Sequence, residues 1–125
     1  MAVLKYQLEK KSLDQMLIDA ACCKWDVDES FFRCYTNRKG GKDKNTDKRR
    51  ILHWLLWKDC NMTFADIAER FGYTKQSMQE GIEKIDFMMS VYLSIAHDVA
   101  SIREIAGKLQ VNMEISVVDI SVKIK

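Results

Sequence analysis

The sequence predicts a mainly α-helical, compact domain built around a helix-turn-helix and followed by a short strand-like tail. Three observations predict it. The 125 residues include no proline and only five glycines, which disfavours a multi-turn β-sandwich and permits long helices. From Ser12 onward, apolar residues recur at helical spacing over most of the chain. Residues 112–125 switch instead to a period of two. At 47% apolar and 30% charged, the chain is too hydrophobic for disorder and too charged to lie within a membrane. Its length suits a single domain, 1–125, able to bury a core without metal or disulfide support.

Residues 1–11 fit either a short strand or a helical lead-in, through Val3, Leu4, Tyr6 and Leu8. With Ser12 as N-cap, Leu13, Met16, Leu17, Ala20 and Ala21 then form one helical face. Asp28 to Phe32 reads as a capped helical turn with aromatic anchors. Thr36 to Lys48 is polar throughout around Gly40-Gly41, the one long loop. Asp47 is placed to cap the next helix, which runs to about Cys60. Ile51, Leu52, Trp54, Leu55, Leu56 and Trp57 surround most of that helix and mark it as central. Thr63 caps a short helix ending at Gly72, with Ile67, Ala68 and Phe71 on one face. Thr74 caps another, whose stripe runs through Met78, Ile82, Ile85, Met89, Tyr92 or Leu93, and Ala96. A last helix is expected from Asp98 or Ser101 to Leu109. In the tail, Val118, Ile120, Val122 and Ile124 alternate with polar residues as in a strand. A lone strand is unstable in water, so it must pair with residues 2–8, with another copy in a homodimer, or with something else.

Composition also narrows the function classes. No apolar run approaches the roughly 20 residues of a membrane span. The start lacks the basic segment, long apolar centre and cleavage site of a secretory signal, so a cytoplasmic location is expected. Cys22, Cys23, Cys34 and Cys60, with His53 and His97, show no metal-ligand spacing. Adjacent Cys22 and Cys23 lie about 100° apart on a helix and cannot both enter one tetrahedral zinc site. Reduced, packed thiols and no metal are the expectation.

Taken as a total, the formal charge of +2 argues against nucleic acid, but it is unevenly spread. Residues 37–60 hold eight basic and three acidic side chains, a net +5, between regions of −1 and −2. Arg38, Lys39, Lys42, Lys44, Lys48, Arg49 and Arg50 all fall in the loop 37–50 and at the start of the central helix. Such a segment can follow a phosphate backbone, whereas the plainer reading is a loop kept solvated by its charges. Its neighbour, residues 64–85, favours the first reading. Two helices crossing at a tight turn need a small residue at the crossing and one tolerating positive φ in the turn, which Ala68 and Gly72 supply. That leaves Thr74, Lys75, Gln76, Gln79 and Glu80 outward, where a recognition helix meets base edges.

These elements, in this order, resemble the C-terminal DNA-binding domain of the bacterial replication initiator DnaA over residues 12–109. The resemblance rests on the helix ending near Cys23, on Val27 and Phe31, on the basic loop, and on the stretch from Asp47 to Ile85 with Phe71-Gly72. It implies that the loop and the start of the central helix, with Arg49 matching a family arginine, reach the backbone and minor groove. It implies that the helix-turn-helix reads the major groove. The chain departs from the family after Gly72. Tyr73 to Met78 is one residue short and lacks an Asp-His pair that carries much of the family's sequence reading.

The residues expected at double-stranded DNA are therefore the seven basic ones above with Thr63, Thr74, Lys75, Gln76, Ser77 and Gln79. No phosphate-binding loop of the GxxxxGK[ST] type occurs, so no nucleotide, cofactor or ATPase chemistry is expected. No Cys-His or His-carboxylate arrangement stands out, and His53 reads as a packed histidine, so the chain is expected not to be an enzyme. The alternative is a protein-interaction or dimerisation module that keeps the helix-turn-helix shape without DNA, for which Glu80, Glu83 and Asp86 on the second motif helix argue.

Overall fold

A computed structural model describes residues 12–34 and 45–123, with side chains as far as Leu109. Among the described residues there are five helices and one 3-10 turn: α1 (Leu13–Trp25), the 3-10 turn (Glu29–Phe32), α2 (Thr46–Cys60), α3 (Phe64–Phe71), α4 (Lys75–Met89) and α5 (Leu93–Lys123). The mainly helical class is as the sequence predicts, and no strand occurs among the described residues.

Helix ends follow local chemistry. Asp26, Asn61 and Gly72 take left-handed φ values of 52°, 55° and 76° and close α1, α2 and α3. Aspartate, asparagine and glycine are the residues that bear this conformation at least cost. The backbone N–H groups of Val27 and Tyr73 then reach back to the carbonyls of Cys22 and Ala68 at 3.0 and 2.9 Å. Thr63 and Thr74 cap α3 and α4 as expected, each hydroxyl accepting a backbone N–H at 3.1 Å, from Asp66 and Ser77. The start of α2 differs from expectation: Asn45 is its N-cap, and Asp47 sits inside its acidic-friendly first turn.

α2 is the axis of the core. Every residue from Ile51 to Leu56 is buried, and α1, α3, α4 and α5 all pack on it. α1 lies along α5, fastened by Lys24 to Asp98 at 3.5 Å. Arg103 of α5 makes a paired contact with Asp59 at 2.7 and 2.9 Å and lies over the Trp54 ring. Ile95, Val99, Ile102 and Ala106 supply the buried stripe of α5.

Two boundaries correct the sequence reading. The stripe drawn through Met89 to Ala96 is broken: α4 stops at Met89, and the chain turns by 106° before α5 begins at Leu93. Ser90 makes the turn, its hydroxyl and its N–H both donating to the Phe87 carbonyl, the former at 2.8 Å. The strand-like tail is also overturned, because α5 continues without a break to Lys123. Extending an existing helix gains a hydrogen bond per residue without a new nucleus, whereas a strand needs a partner. The first eleven residues, and any pairing of 2–8 with the tail, lie outside the described residues.

The 3-10 turn is held from outside itself. Arg49 Nε donates to the Phe31 carbonyl at 2.6 Å, and His53 Nε2 donates to that of Phe32 at 3.0 Å. The Tyr73 hydroxyl reaches the Arg33 carbonyl at 3.3 Å, and the Cys34 N–H donates to the Phe71 carbonyl at 2.8 Å. His53 is wholly buried between the rings of Phe71 and Tyr73, each 5.1 Å away. Burial pushes its pKa down to about 4, with Arg49 and Arg50 nearby acting in the same direction and the Phe32 hydrogen bond opposing.

A depressed histidine pKa means that acid favours the unfolded chain. This contribution is complete above the unfolded value of 6.5 and is lost as pH falls from there toward about 4. The loss across that window is roughly 3 kcal/mol. Urea unfolding at several pH values is expected to show it. His53→Gln, which keeps a donor for Phe32, is expected to flatten the slope between pH 6.5 and 4. Asp14, whose pKa is lowered chiefly by the Ser12 hydroxyl, acts only below 3.8 and leaves that window clear.

Candidate nucleic-acid interface

α3 and α4 meet through Ile67, Ala68, Phe71, Met78 and Ile82, all buried. The three residues Gly72, Tyr73 and Thr74 join them. Arg70 fixes the far side of α3: its guanidinium bonds Asp14 at 2.8 Å, Gln15 at 3.0 Å and Glu29 at 3.4 Å. One arginine thereby ties the motif to α1 and to the 3-10 turn. α4 is tied to α2 by Trp54, whose indole N–H donates to Asp86 at 3.0 Å.

The first turn of α4 faces solvent. Thr74, Lys75, Gln76 and Ser77 are all exposed and Gln79 is half-buried, while Met78 and Ile82 point into the core. This is the arrangement the spacing predicts. Thr63, at the start of α3, is exposed as well. The glutamines are not idle. Gln76 donates to Glu80 at 3.4 Å and Gln79 to Glu83 at 3.0 Å, so a base edge would have to replace a carboxylate at each amide.

The basic residues separate into three groups. Arg38, Lys39, Lys42 and Lys44 lie outside the described residues, but both ends of their segment are fixed. Cys34 is bonded to Phe71 at the end of α3, and Asn45 caps α2. Lys48 and Arg50 are half-buried at the start of α2, Lys48 with its ammonium 6.0 Å from the Trp25 ring centre. Arg49 departs from its neighbours. It is 8% exposed, and its guanidinium lies 4.8 Å over the Phe31 ring while bonding the Phe31 carbonyl. Its guanidinium packs on the 3-10 turn, which sets it apart from Lys48 and Arg50 beside it in the sequence.

Gly81 is the residue that spacing arguments passed over. A Cβ at this position would stand 3.1 Å from Arg50 Nε and 3.2 Å from its Cγ, so the missing side chain lets Arg50 lie flat across α4. The readable signal was a glycine in mid-helix, which costs about 1 kcal/mol relative to alanine and needs a packing reason.

Among the described residues no three His, Cys, Asp or Glu side chains converge on a metal-sized site. Cys60 is half-buried, and burial pushes its thiol up to about 11, far from a reactive thiolate. No single helix among the described residues is long and apolar enough to cross a membrane. No protein-family model, curated protein or solved structure matches this chain.

The split among the basic residues gives a direct test by urea unfolding. Arg49→Ala leaves a carbonyl without its donor and removes the stacked guanidinium, and is expected to cost about 2–3 kcal/mol. Lys48→Ala is expected to stay within about 0.5 kcal/mol of the parent. Thr74→Ala is expected to cost about 1 kcal/mol through the lost cap.

Proposed function

We propose that this chain is a non-catalytic, cytoplasmic double-stranded-DNA-binding domain, acting in replication or transcription in the manner its DnaA-like sequence suggests. α4 enters the major groove with Lys75, Gln76 and Gln79 toward base edges. Thr63, Thr74 and Ser77 approach phosphates. The basic segment, with Arg38, Lys39, Lys42, Lys44, Lys48 and Arg50, follows the backbone. The observation that carries the reading is the exposed, threonine-capped start of α4, Thr74 to Ser77, on a helix held in place by its buried stripe of Met78, Ile82 and Ile85. The attachment of the basic segment beside that turn, through Cys34 and Phe71, supports it further.

Six backbone-facing cations set the scale. Each phosphate neutralised contributes about 0.9 to the slope of log affinity against log salt. Duplex binding is expected to weaken steeply between about 50 and 200 mM salt, and Lys48→Ala with Arg50→Ala is expected to reduce the slope by about 2. Replacing Lys75 and Gln76 is expected to change sequence preference more than bulk affinity, read by selection from a random duplex pool. Absence of binding to any duplex at low salt would sink the reading.

A second reading, a protein-interaction module of helix-turn-helix shape, draws on the outer face of α4. Glu80 and Glu83 lie exposed there and would repel phosphates, and Phe87 beyond them is 67% exposed. Absence of duplex binding at low salt would favour it, whereas equal losses on all sequences when Lys75 and Gln76 are replaced would count against base readout.

A further inference from the structure

We infer that the elbow between α4 and α5 is a self-association surface, and that its occupant is the same elbow of a second copy of this chain. Phe87, Val91, Tyr92 and Leu93 are 67, 56, 53 and 73% exposed, within seven consecutive residues. Together they present on the order of 450 Å² of largely apolar side chain, within the roughly 300–600 Å² of a monomer's largest, often functional, patch. The tight bonds from the Val91 and Tyr92 N–H groups to the Met88 carbonyl, at 3.1 and 2.8 Å, fix the turn so that these side chains cannot fold back. A groove of about 510 Å³ runs beside them, lined by Phe87, Met88, Tyr92 and Ile95, with Asp47 and Lys84 at its edges.

That pair of charges selects the occupant. A two-fold axis presents the same patch from both sides, so one copy's Lys84 meets the other's Asp47 twice over, around an apolar centre. Neither side chain has an ion-pair partner among the described residues. A partner of single-signed charge would leave one of the two opposed by a like charge. The area also sets the strength. Both patches buried together amount to roughly 900 Å², rising past about 1,000 Å² with the charged edge, which fits a concentration-dependent dimer and not an obligate one. The tail expected to dimerise as a strand offers no strand edge, being helical to Lys123.

The dimer stands without DNA, but one consequence rests on the DNA reading. α4 has 15 residues and is about 22 Å long. Two copies joined at its C-terminal end can read one duplex together only if their exposed first turns come within the about 34–36 Å of one duplex turn.

Sedimentation velocity of the full chain without DNA, from about 1 to 200 µM, tests the dimer. The mean mass is expected to rise from one chain toward two. Phe87→Lys with Leu93→Lys, both at exposed positions and checked for helix content, is expected to remain one chain throughout. Lys84→Asp is expected to weaken association at least tenfold, and adding Asp47→Lys to restore it. A parent that stays monomeric overturns the proposal, as does a dimer indifferent to the elbow substitutions, which would place the contact elsewhere, such as the C-terminal part of α5. Loss of DNA binding with the dimer intact would count against the DNA reading alone.

Discussion

Three successive backbone carbonyls, those of Phe31, Phe32 and Arg33, decide where the rest of the molecule sits. A four-residue 3-10 turn ends there without continuing into a helix, so these oxygens have no partner of their own. Each receives a side-chain donor from elsewhere: Arg49 and His53 from α2, and Tyr73 from the helix-turn-helix joint. The Phe32 carbonyl is buried, that of Phe31 partly so and that of Arg33 exposed; an unmet buried carbonyl costs about 1–3 kcal/mol, so His53 and Arg49 are the donors held most firmly. The turn is thereby the common fixture of the central helix and the motif. Cys34 closes the arrangement by donating to Phe71, which sets the exit of the basic segment against the end of α3. Two chemical consequences follow. His53 has to stay neutral, and Arg49 has to leave the solvated group to which its sequence neighbours belong.

Features decided within four or five residues were legible. Thr63 and Thr74 cap because their hydroxyls reach the third residue on, and Gly72 turns because glycine adopts its left-handed φ at no steric cost. The central helix was legible because six consecutive buried residues leave it no polar face. Arg49 was obscured by its company. In a run with Lys48 and Arg50 it counts as one more positive charge, although it lies three and four residues before Leu52 and His53 and shares their buried side. The tail was misread for a different reason. β-branched residues favour strands only where a neighbouring strand supplies hydrogen bonds, and α5 offers helical continuation at no nucleation cost. At Ser90 an unbroken apolar stripe hid a corner. The stripe records which residues are apolar, and several of them beyond Met89 are outside the core.

Under the proposed DNA reading, the first turn of α4 has to be held in one direction. α4 is fixed by Trp54 on Asp86, by Arg50 lying across Gly81, and by Met78, Ile82 and Ile85 in the core. Its first turn therefore points one way, which base reading demands. Under the same reading the backbone cations need only proximity to phosphate, and Cys34 and Asn45 set the two ends of their segment. Were Arg49 turned outward, the Phe31 carbonyl would lose its donor.

α4 also joins two surfaces of opposite character on one rod. Its first turn is polar, uncrowded and capped; its last leads into Phe87, Val91, Tyr92 and Leu93, large side chains that a monomer gains nothing by exposing. The 106° corner at Ser90 is what makes them protrude, because a straight continuation would carry the α4 stripe onward along the core. Between the two ends lie Glu80 and Glu83, each holding the amide of a glutamine one turn earlier. Under the proposed DNA reading, carboxylates so placed weaken indiscriminate attraction to phosphate while leaving the amides available to a base that can outcompete them. Affinity from the basic segment and restraint from the glutamates are then separate physical terms, and a net charge of +2 hides both.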